Sequence, residues 1–244
     1  MHLEIAVQDV PGAQLAAFHG ADRIELCAAL QLGGLTPSQG LLTSIRGTEP
    51  GLPIHTLIRP RPGDYVYDAA SVALMVAEIK EMRDGGATGV VIGALTSDDT
   101  IDYAVVETLV AAADGLHITF HRAVDHLFRN DAVAAVPHLA SLGVARILSS
   151  GGSTRAGAGL AQLQAMHEAA AGSLSVMAGG GVDIADFAAF HEAGLRDVHL
   201  SAKRIVHHPT PAPLTEAAKA EDNSYFATDA SLVEQAGIAA RALA

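Results

Sequence analysis

GADRIEL, residues 20–26, decides the fold, because its pattern returns three times: GATGVVI from Gly86, GVARILS from Gly143 and GLRDVHL from Gly194. In each, a helix-forming run stops at glycine and a hydrophobic residue follows four positions later: Ile24, Val90, Ile147 and Val198. Glycine suits the position just past a helix, because it takes the left-handed conformation without a Cβ penalty. The β-rich residues after it read as a strand. The glycines lie 66, 57 and 51 residues apart, too far for one strand–helix unit and right for two.

A second strand is therefore expected in each interval. LEIAV from Leu3, PIHTLIR from Pro53, LHITFHR from Leu116 and LSVMAGGG from Leu174 supply it. Helices are predicted at 69–83, 102–113, 130–142, 160–171 and 184–193, among others. Strands alternating with helices imply a parallel sheet. Eight such units in 244 residues predict an α/β fold, a (β/α)8 TIM-type barrel, with residues 1–244 as a single domain. An open doubly wound sheet is the alternative. Pro209, Pro211 and Pro213 mark a loop after the last strand.

Composition removes several classes of function. The net charge is -12 and no Lys/Arg-rich run occurs, so the electrostatic footprint of a nucleic-acid or anionic-membrane binder is absent. No apolar run approaches the roughly 18 residues of a membrane helix, and MHLEIAV lacks the basic start of a signal peptide. The one cysteine, Cys27, excludes a disulfide framework and fits a cytoplasmic protein. No dinucleotide fingerprint is present, so no nucleotide cofactor is expected. The expected partner is a small anion or a metal ion. Homo-oligomerisation is left open.

The chemistry is expected where the strands end, at the C-terminal mouth of the barrel. ITFHRAVD, residues 118–125, puts His121 and Arg122 there after strand five. Glu4 lies on strand one, Glu25 and Cys27 on strand two, and Arg59 ends strand three, followed by Arg61 and Asp64. Ser149 and Ser150 end strand six, and strand eight carries His199 and Ser201. Alternation puts Cys27 on the same face as Glu25, with Gly93, Ser150, His199 and Ser201 at matching positions of the repeat. The small residues at that level are expected to leave room for a ligand. Two glycine-rich turns suggest anion binding: AGGGVD, with Gly179, Gly180 and Gly181, and SSGG, from Ser149. Arg59 and Arg61, stiffened by Pro60 and Pro62, suit a phosphate or carboxylate on one side of the mouth, with the glycine turn opposite. In the catalytic reading, Glu25 or Glu4 is general acid or base and His121 its partner. The alternative is that Glu4, Glu25 and Arg59 form an ion network that only fixes the barrel, with His199 a core histidine and Cys27 a small buried hydrophobe. His117 and His121 stand about 13 Å apart on a strand, too far to share a metal.

Six runs, taken in order, resemble the CutC family of copper homeostasis proteins. They are GADRIELCAALQLGGLTPSQGLL, IRPRPGDYVYD, TFHRAVD, ARILSSGG, MAGGGV and DVHLSA, covering most of the chain to about Ala202. The resemblance implies a TIM-type barrel, a cytoplasmic location and an association with copper. The copper ligands it implies are Cys27 with His121 or His199 nearby. Cu(I) prefers thiolate and thioether sulfur, and the chain offers one cysteine and five methionines, so two-thiolate coordination within one chain is excluded.

Overall fold

Eight parallel strands close on themselves in the computed structural model, which describes residues 1–207 and 224–243. The order is β1 (His2–Val7), α1 (Val10–Phe18), β2 (Arg23–Leu26), α2 (Gln39–Thr48), β3 (Ile54–Leu57), α3 (Ala69–Asp84), β4 (Gly89–Ile92), α4 (Tyr103–Ala113) and β5 (His117–Phe120). It continues with α5 (Arg129–Ser141), β6 (Arg146–Ser149), α6 (Leu160–Ala170), β7 (Ser175–Gly179), α7 (Phe187–Glu192) and β8 (Asp197–Leu200). Each strand pairs with the next, and β8 closes on β1 through His2↔Asp197 and Ile5↔Leu200. This is the (β/α)8 barrel expected from the repeat.

The four glycines that defined the repeat adopt the left-handed conformation expected of them, with φ of 85° at Gly20, 92° at Gly86, 96° at Gly143 and 89° at Gly194. The residues four positions later, Ile24, Val90, Ile147 and Val198, are completely buried. With Leu3, Ile5, Ile54 and Phe120 they pack outward against Met75, Ile79, Leu109, Leu139 and Phe190 of the helices. Each such side chain contributes about 1.5–3 kcal/mol by leaving water. Helix starts are fixed by acidic caps: Asp68 Oδ1 accepts from Ser71 N at 2.7 Å and Asp102 Oδ1 from Val105 N at 3.1 Å. Loss of one such cap costs about 1 kcal/mol.

The lumen has the opposite character. Residues two apart on each strand point inward, and they include Glu4, Arg23, Glu25, His55, Thr119, Arg146 and Asp197, all buried. A small apolar group of Cys27, Leu57 and Val91 sits among them. Bulky lumen residues are accommodated by glycine on a neighbouring strand. A Cβ on Gly89 would collide with His55, one on Gly93 with His121, and one on Gly179 with Leu148. The space at Gly93 is thus filled by the His121 ring and is not open to a ligand.

Two segments differ from expectation. The helix predicted at 184–193 is a 3-10 turn (Ile184–Asp186) followed by the shorter α7. After β8 the chain enters β9 (Lys203–His207), antiparallel to β10 (Ser224–Thr228), and then α8 (Ala230–Arg241). Pro209, Pro211 and Pro213, read as a loop, lie outside the described residues. Among the described residues, no helix is long and apolar enough to cross a membrane.

Candidate active site at the barrel mouth

A cavity of about 790 Å³ opens at the C-terminal ends of the strands, within the usual size of a metabolite site. Glu25, Arg59, His121, Arg122, Gly180, Gly181, His199 and Ser201 line it. These residues come from five strand ends, those of β2, β3, β5, β7 and β8, and the barrel brings them together because every strand runs the same way. Glu4, Cys27, Arg61, Asp64, Ser149 and Gly179 were also expected at the site, and none of them lines the cavity.

The floor is an ion network. Glu4 Oε1 meets His199 Nδ1 at 2.7 Å, and Glu4 Oε2 accepts from Arg23 Nε. Arg23 Nη2 also donates to Asp197 Oδ1 at 3.0 Å, and Arg146 approaches the same carboxylate at 3.3 Å. Burial would raise the Glu4 carboxyl, but Arg23 and His199 outweigh it and hold it well below the carboxylate range. Burial would lower His199, but Glu25 and Glu4 outweigh it and raise that ring. Glu4 is therefore a fixed charge that orients His199 through Nδ1.

Glu25 differs from Glu4. Its Oε2 is buried without a hydrogen-bond partner among the described residues. Burial, opposed by His199 and reinforced by Glu4, pushes its carboxyl up to about 7. One carboxylate kept charged and another held near neutrality is the arrangement that separates a positioning group from a proton-transfer group.

His121, the residue the strand-five motif singled out, has a different partner from the one expected. Its Nδ1 accepts from Ala123 N at 3.2 Å, so the neutral ring carries its hydrogen on Nε2. Nε2 is buried and has no hydrogen-bond partner among the described residues. Burial, with Arg59 nearby, pushes this ring down to about 3, so it is neutral at ordinary pH. The Tyr65 ring lies 4.7 Å from it. Arg59 stacks over Tyr65 at 5.1 Å and donates to Leu32 O, Gly34 O and Gly63 O, tying two mouth loops together. Arg61 points elsewhere: it is engaged by Asp64 at 2.7 Å and by Val66 O, and stacks on Tyr67. The two arginines of RPR do not form one fork.

The SSGG turn does bind an anion, and that anion is Asp125. Its carboxylate accepts from Ser149 Oγ (2.6 Å), Ser150 N (3.1 Å), Ser150 Oγ (2.9 Å) and Gly152 N (3.3 Å). Asp125 also accepts from Arg122 Nε at 2.8 Å. The turn thus serves an internal ligand.

Several contributors went unseen in the sequence. Arg23, His55, Arg146 and Asp197 lie two residues before Glu25, Leu57, Leu148 and His199. The alternation that brought Glu25 inward brings them inward too, one layer deeper. Tyr65, His126 and Lys203 also line the cavity, and nothing in their local pattern marks them.

Glu4, Glu25 and His199 form the group that could hold a metal, with one donor atom each within 4.8 Å of one another. Both Glu4 oxygens are already bonded, one of them to a guanidinium, so only Glu25 and His199 retain free donor capacity. Copper(I) finds still less. Cys27 is sealed against Leu57 and Val91, its Sγ lies 3.6 Å from Val7 O, and burial and Glu25 raise its thiol far above the usual range. Met177 Sδ accepts from Arg23 Nη2 at 3.2 Å. The soft donors do not fit a copper(I) site.

These features define a (β/α)8 barrel protein with a polar cavity at the mouth of its barrel. The chain belongs to the CutC family, whose sequence profile matches residues 1–204. A CutC family protein of Pectobacterium atrosepticum is 41% identical over 207 residues, covering 85% of this chain and 81% of the relative. One from Edwardsiella ictaluri is 38% identical over 238 residues, covering 95% and 92%. Among solved structures, a Streptococcus agalactiae CutC protein, named for copper homeostasis, superposes with a TM-score of 0.78 at 29% identity, covering 82% of this chain and 98% of that one.

Proposed function

We propose that this protein is an enzyme that transfers a proton on a small anionic metabolite, with Glu25 as the acid–base group. The observation that carries this reading is the Glu25 carboxyl at the cavity floor, its Oε2 without a hydrogen-bond partner among the described residues and its carboxyl poised at about 7. A group with that value both accepts and gives a proton at neutral pH. Glu4 stays ionised and orients His199 beside it, while neutral His121 presents Nε2–H as a donor from the wall. This arrangement suits enolisation or isomerisation of a hydroxy-carbonyl compound. Such acid–base assistance contributes about 10²–10⁴-fold in rate. A cytoplasmic setting agrees with the single unpaired Cys27. Copper is not part of this proposal, because the sulfur donors are sealed from the cavity.

The test is proton exchange in D2O. Purified protein is incubated with a panel of phosphorylated and carboxylated hydroxy-ketones and hydroxy-aldehydes, and deuterium incorporation is followed by NMR. At least one compound should exchange at carbon, and Glu25→Gln should slow that exchange by about 100-fold or more. No exchange with any compound, or full exchange in the variant, would remove the reading.

A further inference from the structure

Arg122 stands out because its partners hold only part of it. Asp125 grips Nε at 2.8 Å, and Nη2 reaches Ser150 Oγ at 3.3 Å. Nη1 has no partner among the described residues, and the half-buried side chain lines the cavity. The guanidinium lies against the backbone of Gly180: a Cβ there would stand 2.7 Å from Arg122 Cζ.

The same wall of the cavity contains Gly180, Gly181 and Val182. Gly180 and Gly181 have φ of 91° and 62°, so the chain turns sharply as it leaves β7. Among the described residues, no group accepts from the backbone N–H of Gly180, Gly181 or Val182. Successive amides in such a turn form a concave donor surface suited to an anion. The nearby Asp183 carboxylate would oppose an anion, but Arg155 pairs with it at 3.1 Å and it accepts from Ala185 N at 3.1 Å.

We propose that the anionic end of the substrate, a phosphoryl group or carboxylate, seats on Arg122 and the amides of residues 180–182, and that Arg122 selects anionic substrates. Arg59 is engaged by three carbonyls and Arg61 lies outside the cavity, so neither is free for that role. The SSGG turn has a second task here. By holding Asp125 it fixes Arg122 Nε, and the outer edge of the guanidinium is left for a ligand. This inference rests on the acid–base reading only in naming the ligand a substrate: the anion sits on the wall and Glu25 acts at the floor.

The test is calorimetry with inorganic phosphate and glycerol phosphate on the full chain. Wild type should bind both. Arg122→Gln should weaken binding about tenfold or more, the loss expected for one charge-assisted contact. Gly180→Ala should do the same without removing a charge, because its Cβ meets the guanidinium and a φ of 91° strains alanine in the turn that carries the amides. Arg61→Gln should bind like wild type. Equal binding by wild type and Arg122→Gln overturns the proposal, as does absence of phosphate binding by wild type at millimolar concentration. Thermal melts establish that each variant is folded. Phosphate binding at this wall does not need Glu25, and the Glu25→Gln comparison of deuterium exchange reads the floor, so either proposal can fail alone.

Discussion

The Ser149 hydroxyl donates to the Asp125 carboxylate at 2.6 Å, and this bond joins the strand-five motif to the turn after strand six. Asp125 gathers two hydroxyls, two backbone amides and the Arg122 guanidinium around one buried carboxylate. Asp125→Ala would leave Ser150 N–H unsatisfied and Arg122 without its counter-charge. The half-exposed guanidinium is solvated, so the expected cost is mainly that of the stranded donors, about 2–3 kcal/mol, which for a chain of this size lowers Tm by roughly 4–12 °C. Ser149→Ala removes one neutral hydrogen bond and should cost about 1 kcal/mol. Urea denaturation of both variants checks the ratio, and similar losses would mean that the carboxylate does not organise the turn.

The barrel was legible because two signals agreed. Glycine after each odd-numbered helix of the repeat marked strands two, four, six and eight, and the hydrophobic runs between them marked the others. The site was legible only as a level in the barrel. Glu25, Arg59, His121, Arg122 and His199 could be placed at strand ends, but their partners could not. Glu4 bonds to His199 across 195 residues, and Asp125 to Ser149 across 24. A serine–glycine turn that holds an internal carboxylate reads like one that holds a substrate. Arg61 looked equivalent to Arg59 because RPR is symmetric in sequence. Only the loop geometry sends one guanidinium into the mouth and the other to Asp64.

Stability should peak near pH 6.5 and fall more steeply on the acid side. Burial lowers His55 and His121 to about 3 and His117 to about 4. Around pH 5–5.5 the unfolded chain therefore holds close to three protons on these rings that the native protein lacks, a difference that halves by about pH 6.5. Burial raises Glu25 to about 7, so there the native state holds one proton that the unfolded chain lacks. The unfolded state binds more, so stability rises with pH there by on the order of 2 kcal/mol per unit and levels off toward pH 6.5. Above pH 6.5 the histidine difference ends, while Glu25 and the raised His199 still hold native protons, so stability then declines. Glu4, lowered in the folded state, is ionised in both states across this window. Urea midpoints at pH 5.5, 6.5 and 8 test the order, and a midpoint higher at pH 5.5 than at 6.5 would refute it.

Cys27 should behave as a packing residue. The native thiol should react with a disulfide reagent only on unfolding, because the thiolate is the nucleophile and burial suppresses it here. The monomer should also lose Cu(I) to a competing chelator, since one sealed sulfur leaves a soft ion under-coordinated. Tight, stoichiometric Cu(I) retention that vanishes in Cys27→Ser would show that the thiol is reachable and that the buried setting is not the one copper meets.

Gly93→Ala should disable the mouth through His121 alone. The ring of His121 lies where the new Cβ must go, and Gly93 itself is at a backbone conformation alanine can adopt, since its φ is not among the positive ones. The cost is therefore steric. The ring must leave its place beside Tyr65, which breaks the bond from Ala123 N to Nδ1. Overpacking of this kind costs about 1–3 kcal/mol, or a fall in Tm of roughly 2–10 °C. The barrel survives such a loss, but Nε2–H no longer faces the cavity. Proton exchange should fall along with the stability, while phosphate binding at Arg122 and residues 180–182, on a different wall, should persist. Imidazole NMR of His121 reads the displacement directly. An unchanged His121 resonance with unchanged exchange would mean that the ring has room to spare and that glycine at 93 is not what shapes the site.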